Sequence, residues 1–400
     1  MYITMSLKYK CLLVLLVAMI SPLLCFLISL FLALDLNRSK ECSIVFWFSL
    51  VLFFALININ QIWESDTLGY VLWMKNAISE TLPSYLMNKN GQELVFFFTN
   101  YAFARITNGW GKLYLLTYNL LFYYFFIRTI YMIGDREKWS LSHINWGIFF
   151  ILFYITYFTG SLQLMRQAIA GVMIVYIIVG RVMCGYSFKK IIALSFVAIG
   201  IHSSSALPLL FLLIPGLDQR LTLKKCFYLI FIIGVLSVIY NSLPSLQFGS
   251  DNALSDIANR SSTIYSEDVF KLSFMSFISS ILLVFSFLKY STSSTNILPS
   301  NRRYLSIVGL FMLFIYFLPY NSFVQVRFLC YLQYFVPSVL LFALETKTTL
   351  NRFIKNVLLC LILVVFFIYI VLGKSKVQYP LTDTLFAFTW ELMKDPYINY

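Results

Sequence analysis

The chain has 400 residues, of which 60% are hydrophobic and only 12% are charged. A soluble domain carries about 25% charged residues, so the composition excludes that class and indicates an integral membrane protein. The net charge of +13 does not indicate nucleic-acid binding, because the basic residues lie in short segments between apolar runs, as they do in cytoplasmic loops of membrane proteins.

The apolar runs predict an all-α, polytopic membrane protein that forms a single domain over residues 1–400, because helices satisfy their own backbone hydrogen bonds in lipid. We predict about 12 membrane segments plus one short helix, since a span needs about 20 apolar residues. In chain order the segments are 11–34, 43–61, 112–133, 144–160, 165–184, the shorter 188–201 and 203–215, then 225–244, 270–288, 304–320, 326–344 and 353–372. The additional helix, 93–109, is amphipathic and is predicted to be re-entrant or interfacial.

Three longer segments separate or follow the spans: the first outer loop (62–92), the second outer loop (245–269) and the C-terminal tail (373–400). Basic loops mark the inner side of a membrane protein, which places these three segments outside. With 11–34 as one span, the N-terminus then lies outside as well. In the alternative topology the N-terminus lies inside and 93–109 becomes a further crossing.

Metal and cofactor sites are not predicted. The seven cysteines are scattered, no pair has metal-ligand spacing, and the chain has only two histidines. A His/Cys metal site would need such residues in clusters.

Three ionisable residues, Arg166, His202 and Arg327, lie at or near the ends of apolar runs. A charge at the centre of a bilayer costs about 2.5–3.5 kcal/mol, so such residues usually face a polar cavity. Two cations and one imidazole therefore predict a pocket that holds an anion and moves a proton. The alternative is an anchoring role at the membrane surface for each arginine and a structural role in a bend for His202.

The residues around Arg166 are polar. Gln163 and Gln167 share its helix face by their spacing, and Gly160 and Ser161 are predicted to break the chain just before it. This arrangement predicts that Arg166 points into the outer mouth of the bundle.

The other two candidates also have polar neighbours. Tyr331 and Tyr334 share the predicted helix face of Arg327, and a cation beside tyrosine hydroxyls suits a phosphate or a sugar. His202 is followed by the serines 203–205, and its imidazole can take up a proton near neutral pH.

The outer loops contain further candidates. Asp66 and Tyr70 in the first outer loop, and Glu93 just after it, combine carboxylates with aromatic rings, which is common sugar-binding chemistry. Arg260 in the second outer loop is a further candidate. The alternative is that these are ordinary interfacial or solvated residues.

Taken in order, these segments resemble the EpsG-like branch of the Wzy-type O-antigen polymerases. The matching elements are Asp66 to Tyr70, Glu93 opening a short helix, Arg166-Gln167-Ala168-Ile169-Ala170, His202-Ser203-Ser204-Ser205-Ala206 and Arg327-Phe328-Leu329-Cys330-Tyr331. The bend after His202 is one serine longer than in the family. The Glu-Pro-Gly-Phe sequence that the family has around its two outer acids is absent around Asp66 and Glu93.

The resemblance implies a metal-independent membrane glycosyltransferase that polymerises undecaprenyl-diphosphate-linked oligosaccharides at the periplasmic face of a bacterial inner membrane. Membrane lipid and a chain-length regulator protein are further candidate partners, and nucleic acid is not. Arg166 and Arg327 would stabilise the diphosphate leaving group, and His202 would act as base. Asp66 or Glu93 would orient the acceptor or replace His202. The expected substrate-binding residues are Gln163, Gln167, Tyr70, Tyr331, Tyr334 and Arg260.

Two other functions stay open at this point. An O-antigen ligase, or another lipid-linked sugar transferase, performs the same displacement onto a different acceptor, but ligases typically carry a larger late outer loop. A flippase for lipid-linked oligosaccharide would place its site near the membrane midplane between repeats, and no repeat is evident in the sequence.

Overall fold

A computed structural model of the chain describes the helices that surround most of the candidate residues. The described residues are 6–34, 36, 39–63, 65–87, 93–217, 298–317, 322–344 and 379–396, with a few single positions between 228 and 368. They belong to two compact units. Unit 1 comprises Met1–Met87, Leu94–Ile169 and Thr346–Tyr400, and unit 2 comprises Asn88–Glu93 and Ala170–Glu345.

The described part of the chain is helical and contains no strand, which confirms the predicted all-α class. The helices up to the start of α10 and the last two helices belong to unit 1: α1 Leu7–Ile20, α2 Pro22–Ala33, α3 Lys40–Ile59, α4 Ser65–Asn76, α5 Leu82–Met87, α6 Leu94–Thr107, α7 Gly111–Glu137, α8 Leu141–Phe153, α9 Ile155–Gln163, α16 Leu381–Phe386 and α17 Thr389–Leu392. Helix α10, Met165–Val182, begins in unit 1 and continues in unit 2. Unit 2 also contains α11 Phe188–Ile201, α12 Ala206–Leu210, α13 Pro299–Phe317, α14 Ser322–Gln333 and α15 Val336–Leu344.

Within the described ranges, α3, α7 and α10 are long and apolar enough to cross a membrane. A fourth candidate is α8 together with Tyr157–Gln163, which are bent by 54° relative to each other. The chain is therefore a helical membrane protein. The predicted spans 225–244, 270–288 and 353–372 lie almost entirely outside the described residues, so the expected number of about 12 segments stays a prediction.

The core of unit 1 is built around α3, which is buried along most of its length. Its Ser43 hydroxyl bonds the Tyr131 hydroxyl of α7 at 2.8 Å and donates to the Asn145 side chain of α8 at 2.6 Å. The Trp47 indole donates to the same Asn145 oxygen at 2.8 Å. Side-chain hydrogen bonds of this kind stabilise helix packing in a membrane. The hydrophobic effect does not drive helices together there, because the lipid is itself apolar.

The prediction of one span over 11–34 is wrong, because the run forms two helices that meet at Ser21. Pro22 cannot donate a backbone hydrogen bond within a continuing helix, and Ser21 instead caps α2 by accepting from the Leu23 amide at 3.2 Å. Lys10 lies 3.9 Å from Glu41 at the start of α3, and the Leu36 carbonyl accepts from Asn145 near the start of α8. Both ends of the α1–α2 hairpin therefore lie at the start of α3.

Two breaks in unit 2 have clear local causes. The predicted bend at His202 is confirmed: α11 ends at Ile201, His202 is extended, and a 3-10 turn over Ser203–Ser205 follows. The predicted run 326–344 is interrupted between α14 and α15. Pro337 explains that break, because it lacks the amide that would continue the helical ladder and its ring crowds the preceding turn.

Candidate active site

Arg166 lies in the first turn of α10, within unit 1. Its guanidinium carbon is 5.5 Å from the ring centre of Tyr70, 5.1 Å from that of Trp73 and 5.5 Å from that of Phe96. We call these three rings, from α4 and α6, the aromatic cage. Guanidinium groups are attracted to aromatic faces at such distances, so the cage fixes where the charge of Arg166 lies.

The aromatic cage is itself held by packing and by one buried phenol. Tyr70 and Trp73 have ring centres 5.7 Å apart, and Tyr70 and Phe96 are 5.9 Å apart, both edge-to-face. The Tyr85 hydroxyl donates to the Trp73 carbonyl at 2.8 Å. Burial raises the pKa of Tyr85 to about 12, so this phenol stays protonated and the bond persists at physiological pH. Tyr70, a predicted substrate-binding residue, thus lies beside Arg166.

The chain break before Arg166 lies at Leu164 and not at the predicted Gly160-Ser161, which are both inside α9. Buried asparagines of two neighbouring helices, α3 and α7, hydrogen-bond to α9. Asn58 donates to the Phe158 carbonyl at 2.7 Å and to the Ser161 hydroxyl at 2.9 Å. Asn119 donates to the same hydroxyl at 2.8 Å. Irregular backbone is tolerated in a membrane protein where protein groups satisfy it in this way.

The two glutamines near Arg166 lie on either side of the break. Gln163 is half-buried and donates to the Gln61 side chain at 3.1 Å. Gln167, in the first turn of α10, is buried. The prediction that Gln163 shares a helix face with Arg166 is therefore wrong, because the break at Leu164 separates the two residues, whereas Gln167 lies in the same helix as Arg166.

In unit 2, the structure joins two predicted site residues directly. The Glu93 carboxylate and the His202 Nδ1 are joined by a hydrogen bond, with side chains only 7% and 11% exposed. Glu93 has a positive φ of 53°, a conformation that is uncommon for residues other than glycine and that tends to occur at functional sites. With a carboxylate on Nδ1, the hydrogen of the neutral imidazole lies on Nδ1 and Nε2 carries the lone pair.

The bend that carries His202 is supported by α14. The Ser204 hydroxyl bonds the Tyr331 hydroxyl at 3.0 Å, and the rings of His202 and Tyr331 have centres 6.3 Å apart. Tyr331 and Tyr334, both predicted to bind substrate, are buried. The Tyr334 ring lies so close to Gly171 of α10 that a Cβ at position 171 would overlap with it.

Three predicted site residues remain, and the structure describes the side chain of only one of them, Asp66. Asp66 is exposed in the first turn of α4, one turn before Tyr70. Arg327 belongs to α14, but its side chain lies outside the described part of the structure, as does the whole of Arg260. Their predicted roles stay predictions.

Sequence reasoning missed Phe96 as a cage member, and it missed Asn58 and Asn119 as supports of the Arg166 segment. A signal for the first asparagine was present, because Asn58 is a polar residue inside the apolar run 43–61. Polar residues in such a run usually face the bundle interior and mark helix contacts or functional sites.

Comparison with known proteins identifies the family. The model of the EpsG family matches residues 43–382 of the chain, a stretch that includes the aromatic cage, Arg166, Glu93 and His202. No curated protein and no solved structure matches the chain. Within the described residues, no group of three or more His, Cys, Asp or Glu side chains could hold a metal ion. The chain belongs to the EpsG family of helical membrane proteins, which have a glycosyltransferase-like polymerase function in surface polysaccharide synthesis.

Proposed function

We propose that the protein polymerises oligosaccharide repeat units carried on undecaprenyl diphosphate, at the periplasmic face of a bacterial inner membrane. The donor is the growing glycan on its lipid diphosphate, and the acceptor is one lipid-linked repeat unit. An acceptor hydroxyl attacks the anomeric carbon of the donor. The new glycosidic bond forms as the bond to diphosphate breaks, and the diphosphate leaves with the bonding electrons.

The observation that carries this proposal is the Glu93–His202 pair. A base that removes a hydroxyl proton must be neutral before the reaction and must accept the proton as the bond forms. Nε2 of His202 can do this, because Glu93 holds the imidazole in the required tautomer and stabilises the imidazolium that results. This division of roles between carboxylate and imidazole is found in other enzymes with unrelated folds.

Arg166 is proposed to stabilise the negative charge that develops on the leaving diphosphate. Fixed cations aimed at developing charge are among the largest contributions to catalysis. The half-buried Trp73 ring beside it suits the apolar face of a sugar, and half-buried Gln163 provides an amide for sugar hydroxyls. Tyr70, Phe96 and Gln167 are buried and are proposed to support this site. Arg327 is proposed as the second cation. Asp66, exposed one turn from Tyr70, is proposed to orient the acceptor.

Tyr331 and Tyr334 are proposed to support the site and not to line it, because both are buried. Tyr331 holds Ser204 in the bend after His202, and Tyr334 packs on α10. A chain-length regulator protein is a further proposed partner.

We propose that turnover needs no metal ion, because diphosphate is a stable leaving group and the arginines supply positive charge. Purified protein incubated with lipid-linked repeat units should therefore polymerise them in excess EDTA at the rate seen without it. A rate restored only by adding Mg²⁺ or Mn²⁺ would contradict this part of the mechanism.

The decisive test is deletion of the gene followed by complementation with wild-type or variant protein. If the protein is the polymerase, surface glycan should fall to a single repeat unit attached to lipid A core. Loss of even that unit, with polymer kept on the carrier lipid, would indicate a ligase and contradict the proposal. Accumulation of lipid-linked units on the cytoplasmic side would indicate a flippase and also contradict it.

A further inference from the structure

The C-terminal tail contacts the start of α7 and the end of α4, the helix that carries two rings of the aromatic cage. After α17, the Met393 carbonyl accepts from the Trp110 indole at 2.6 Å, and Asp395 reaches the first turn of α7. All of these residues belong to unit 1. The contact lies beyond residue 382, where the match to the family model ends.

The Asp395 carboxylate accepts two backbone hydrogen bonds from α7 and forms an ion pair with a lysine of α4. One oxygen accepts from the Gly111 amide at 3.0 Å, and the other accepts from the Lys112 amide at 2.8 Å. The Lys75 ammonium, in the last turn of α4, lies 2.7 Å from the first oxygen. The first amides of a helix have no partner within the helix and carry partial positive charge, so the carboxylate caps α7 while it pairs with α4.

This contact is more constrained than a surface ion pair. The Lys75 and Asp395 side chains are only 22% and 20% exposed, and a Cβ on Gly111 would lie 3.1 Å from the Asp395 oxygen. The first turn of α7 is also tied to the end of α3, because the Lys112 ammonium donates to the Ile59 carbonyl at 2.8 Å. Asp395 therefore attaches α4 to a fixed point.

Helix α4 is the element that needs this attachment. It carries Tyr70 and Trp73, whose rings lie against Arg166, and it is only 12 residues long. A helix of that length is marginal by itself and depends on its tertiary contacts. The Tyr85–Trp73 bond and the Lys75–Asp395 pair both act on its last two turns.

We propose that Asp395 is a positioning residue for the substrate site: by joining the N-terminus of α7 to Lys75, it fixes the α4 rings against Arg166. The expected effect on KM rests on the proposed function, whereas the expected effect on the position of α4 rests on geometry alone. Asp395 does not touch substrate, so its loss should weaken substrate binding more than the chemical step.

The test uses the full-length protein in nanodiscs with the substitution Asp395→Asn. Asparagine keeps the size of the side chain but is neutral and has only one oxygen for the two amides and the ammonium, so it loses the pair with Lys75 or part of the cap. Asp383→Asn is the matched control, because Asp383 is an exposed acid in α16 of the same tail. Asp395→Glu, which restores the charge, and Lys75→Met, which removes the partner, complete the set.

Two measurements separate the structural and kinetic consequences. Hydrogen exchange followed by mass spectrometry should rise by about tenfold in 65–76 for Asp395→Asn, as expected for loss of a charged cap and its ion pair. Exchange in α8 should stay unchanged. With lipid-linked repeat units, KM should rise by about tenfold while kcat changes by less than about twofold. Asp395→Glu should recover part of both effects, and Lys75→Met should add little to Asp395→Asn.

Three results would overturn the inference. They are unchanged exchange in α4, exchange that rises equally in α4 and α8 together with loss of folded protein, or a looser α4 with unchanged KM. If the wild-type protein shows no polymerase activity, the proposed function fails, but the exchange measurement still decides whether Asp395 fixes α4.

Discussion

At the scale of single residues, the Glu93–His202 pair changes what each residue can do. The sequence left open whether His202 or a carboxylate is the base. The structure places the carboxylate on the imidazole, and a carboxylate that already accepts from Nδ1 is better suited to orient the base than to replace it. The role proposed for Glu93 is therefore narrower than the sequence alone allowed.

His202→Gln is expected to lower kcat by about 10²- to 10⁴-fold, the usual contribution of a general base. Glu93→Gln should lower it by a smaller factor, and the double variant should be no worse than His202→Gln alone, because the two act as one unit. His143→Gln, at the other histidine of the chain, is the control. Single-turnover rates measure the effect, and wild-type rates for His202→Gln would remove it as base.

Arg166 combines charge with shape, and two substitutions distinguish these properties. Arg166→Ala should abolish polymer ladders and leave single capped repeat units. Arg166→Lys should give short ladders, because lysine keeps the charge but lacks the planar group that stacks on rings and grips phosphate. Arg181→Ala, in the last turn of the same helix, should leave the ladders normal. The gel pattern at equal protein level is the measurement, and normal ladders for Arg166→Ala would contradict the assigned role.

At the scale of elements, close helix packing in unit 2 depends on individual small residues. Gly171 of α10 lies directly against the Tyr334 ring, whereas an added Cβ at Gly160 of α9 would meet nothing within 4 Å. Small residues let helices approach closely in membranes. The two glycines therefore look alike in the sequence but differ in what surrounds them.

Gly171→Ala should destabilise the protein by about 1–3 kcal/mol, because the added methyl overpacks the α10 contact with Tyr334. Gly160→Ala should be neutral or should stabilise by up to about 1 kcal/mol, since alanine favours helix over glycine. Unfolding in detergent, followed by circular dichroism, compares the two. Equal stability of both variants would show that Tyr334 moves away at no cost.

At the scale of the whole molecule, the contacts of unit 1 determine which helix ends lie together. Lys40 pairs with Asp135 at 2.9 Å, which joins the start of α3 to the end of α7. Lys112 joins the start of α7 to the end of α3. The two helices are thus antiparallel, with Lys10 near the first junction and Asp395 at the second.

Lys10 lies at the same end of unit 1 as the start of α3, whereas one span over 11–34 would put the N-terminus at the opposite end. Four basic residues are close in the sequence to the Lys40–Asp135 junction or to Lys10: Lys8, Lys10, Arg136 and Lys138. Basic residues mark the cytoplasmic side of a membrane protein. We therefore expect the N-terminus inside and the C-terminus outside. The α1–α2 hairpin allows this without an additional crossing by 93–109.

Reporter fusions test the topology. Alkaline phosphatase fused to the C-terminus should be active, because it folds only outside the cytoplasm, and green fluorescent protein fused to the N-terminus should fluoresce. An inactive C-terminal phosphatase at normal expression, or two termini on the same side, would contradict the arrangement of α3 and α7.

The sequence by itself determined the class, the family and most of the short motifs. Sixty per cent hydrophobic residues leave no alternative to membrane helices, and the bend at His202 follows from a polar cluster that ends an apolar run. A charged residue at the end of such a run indicates a polar environment, because placing a charge in lipid costs free energy. For this reason Arg166 and His202 could be named before their contacts were known, whereas Glu93 was named as an outer carboxylate near aromatic residues.

Only the tertiary structure decided which of these residues meet. Glu93 and His202 are 109 positions apart, and Phe96, Asn58 and Asp395 also act through partners that are far away in the sequence. The spacing of residues along one helix predicts which of them share a face of that helix, but it does not predict which other helix packs against that face. The length of the apolar run 11–34 indicates a single helix, but Pro22 lacks the backbone amide that would continue the helix, so the run is divided at Ser21.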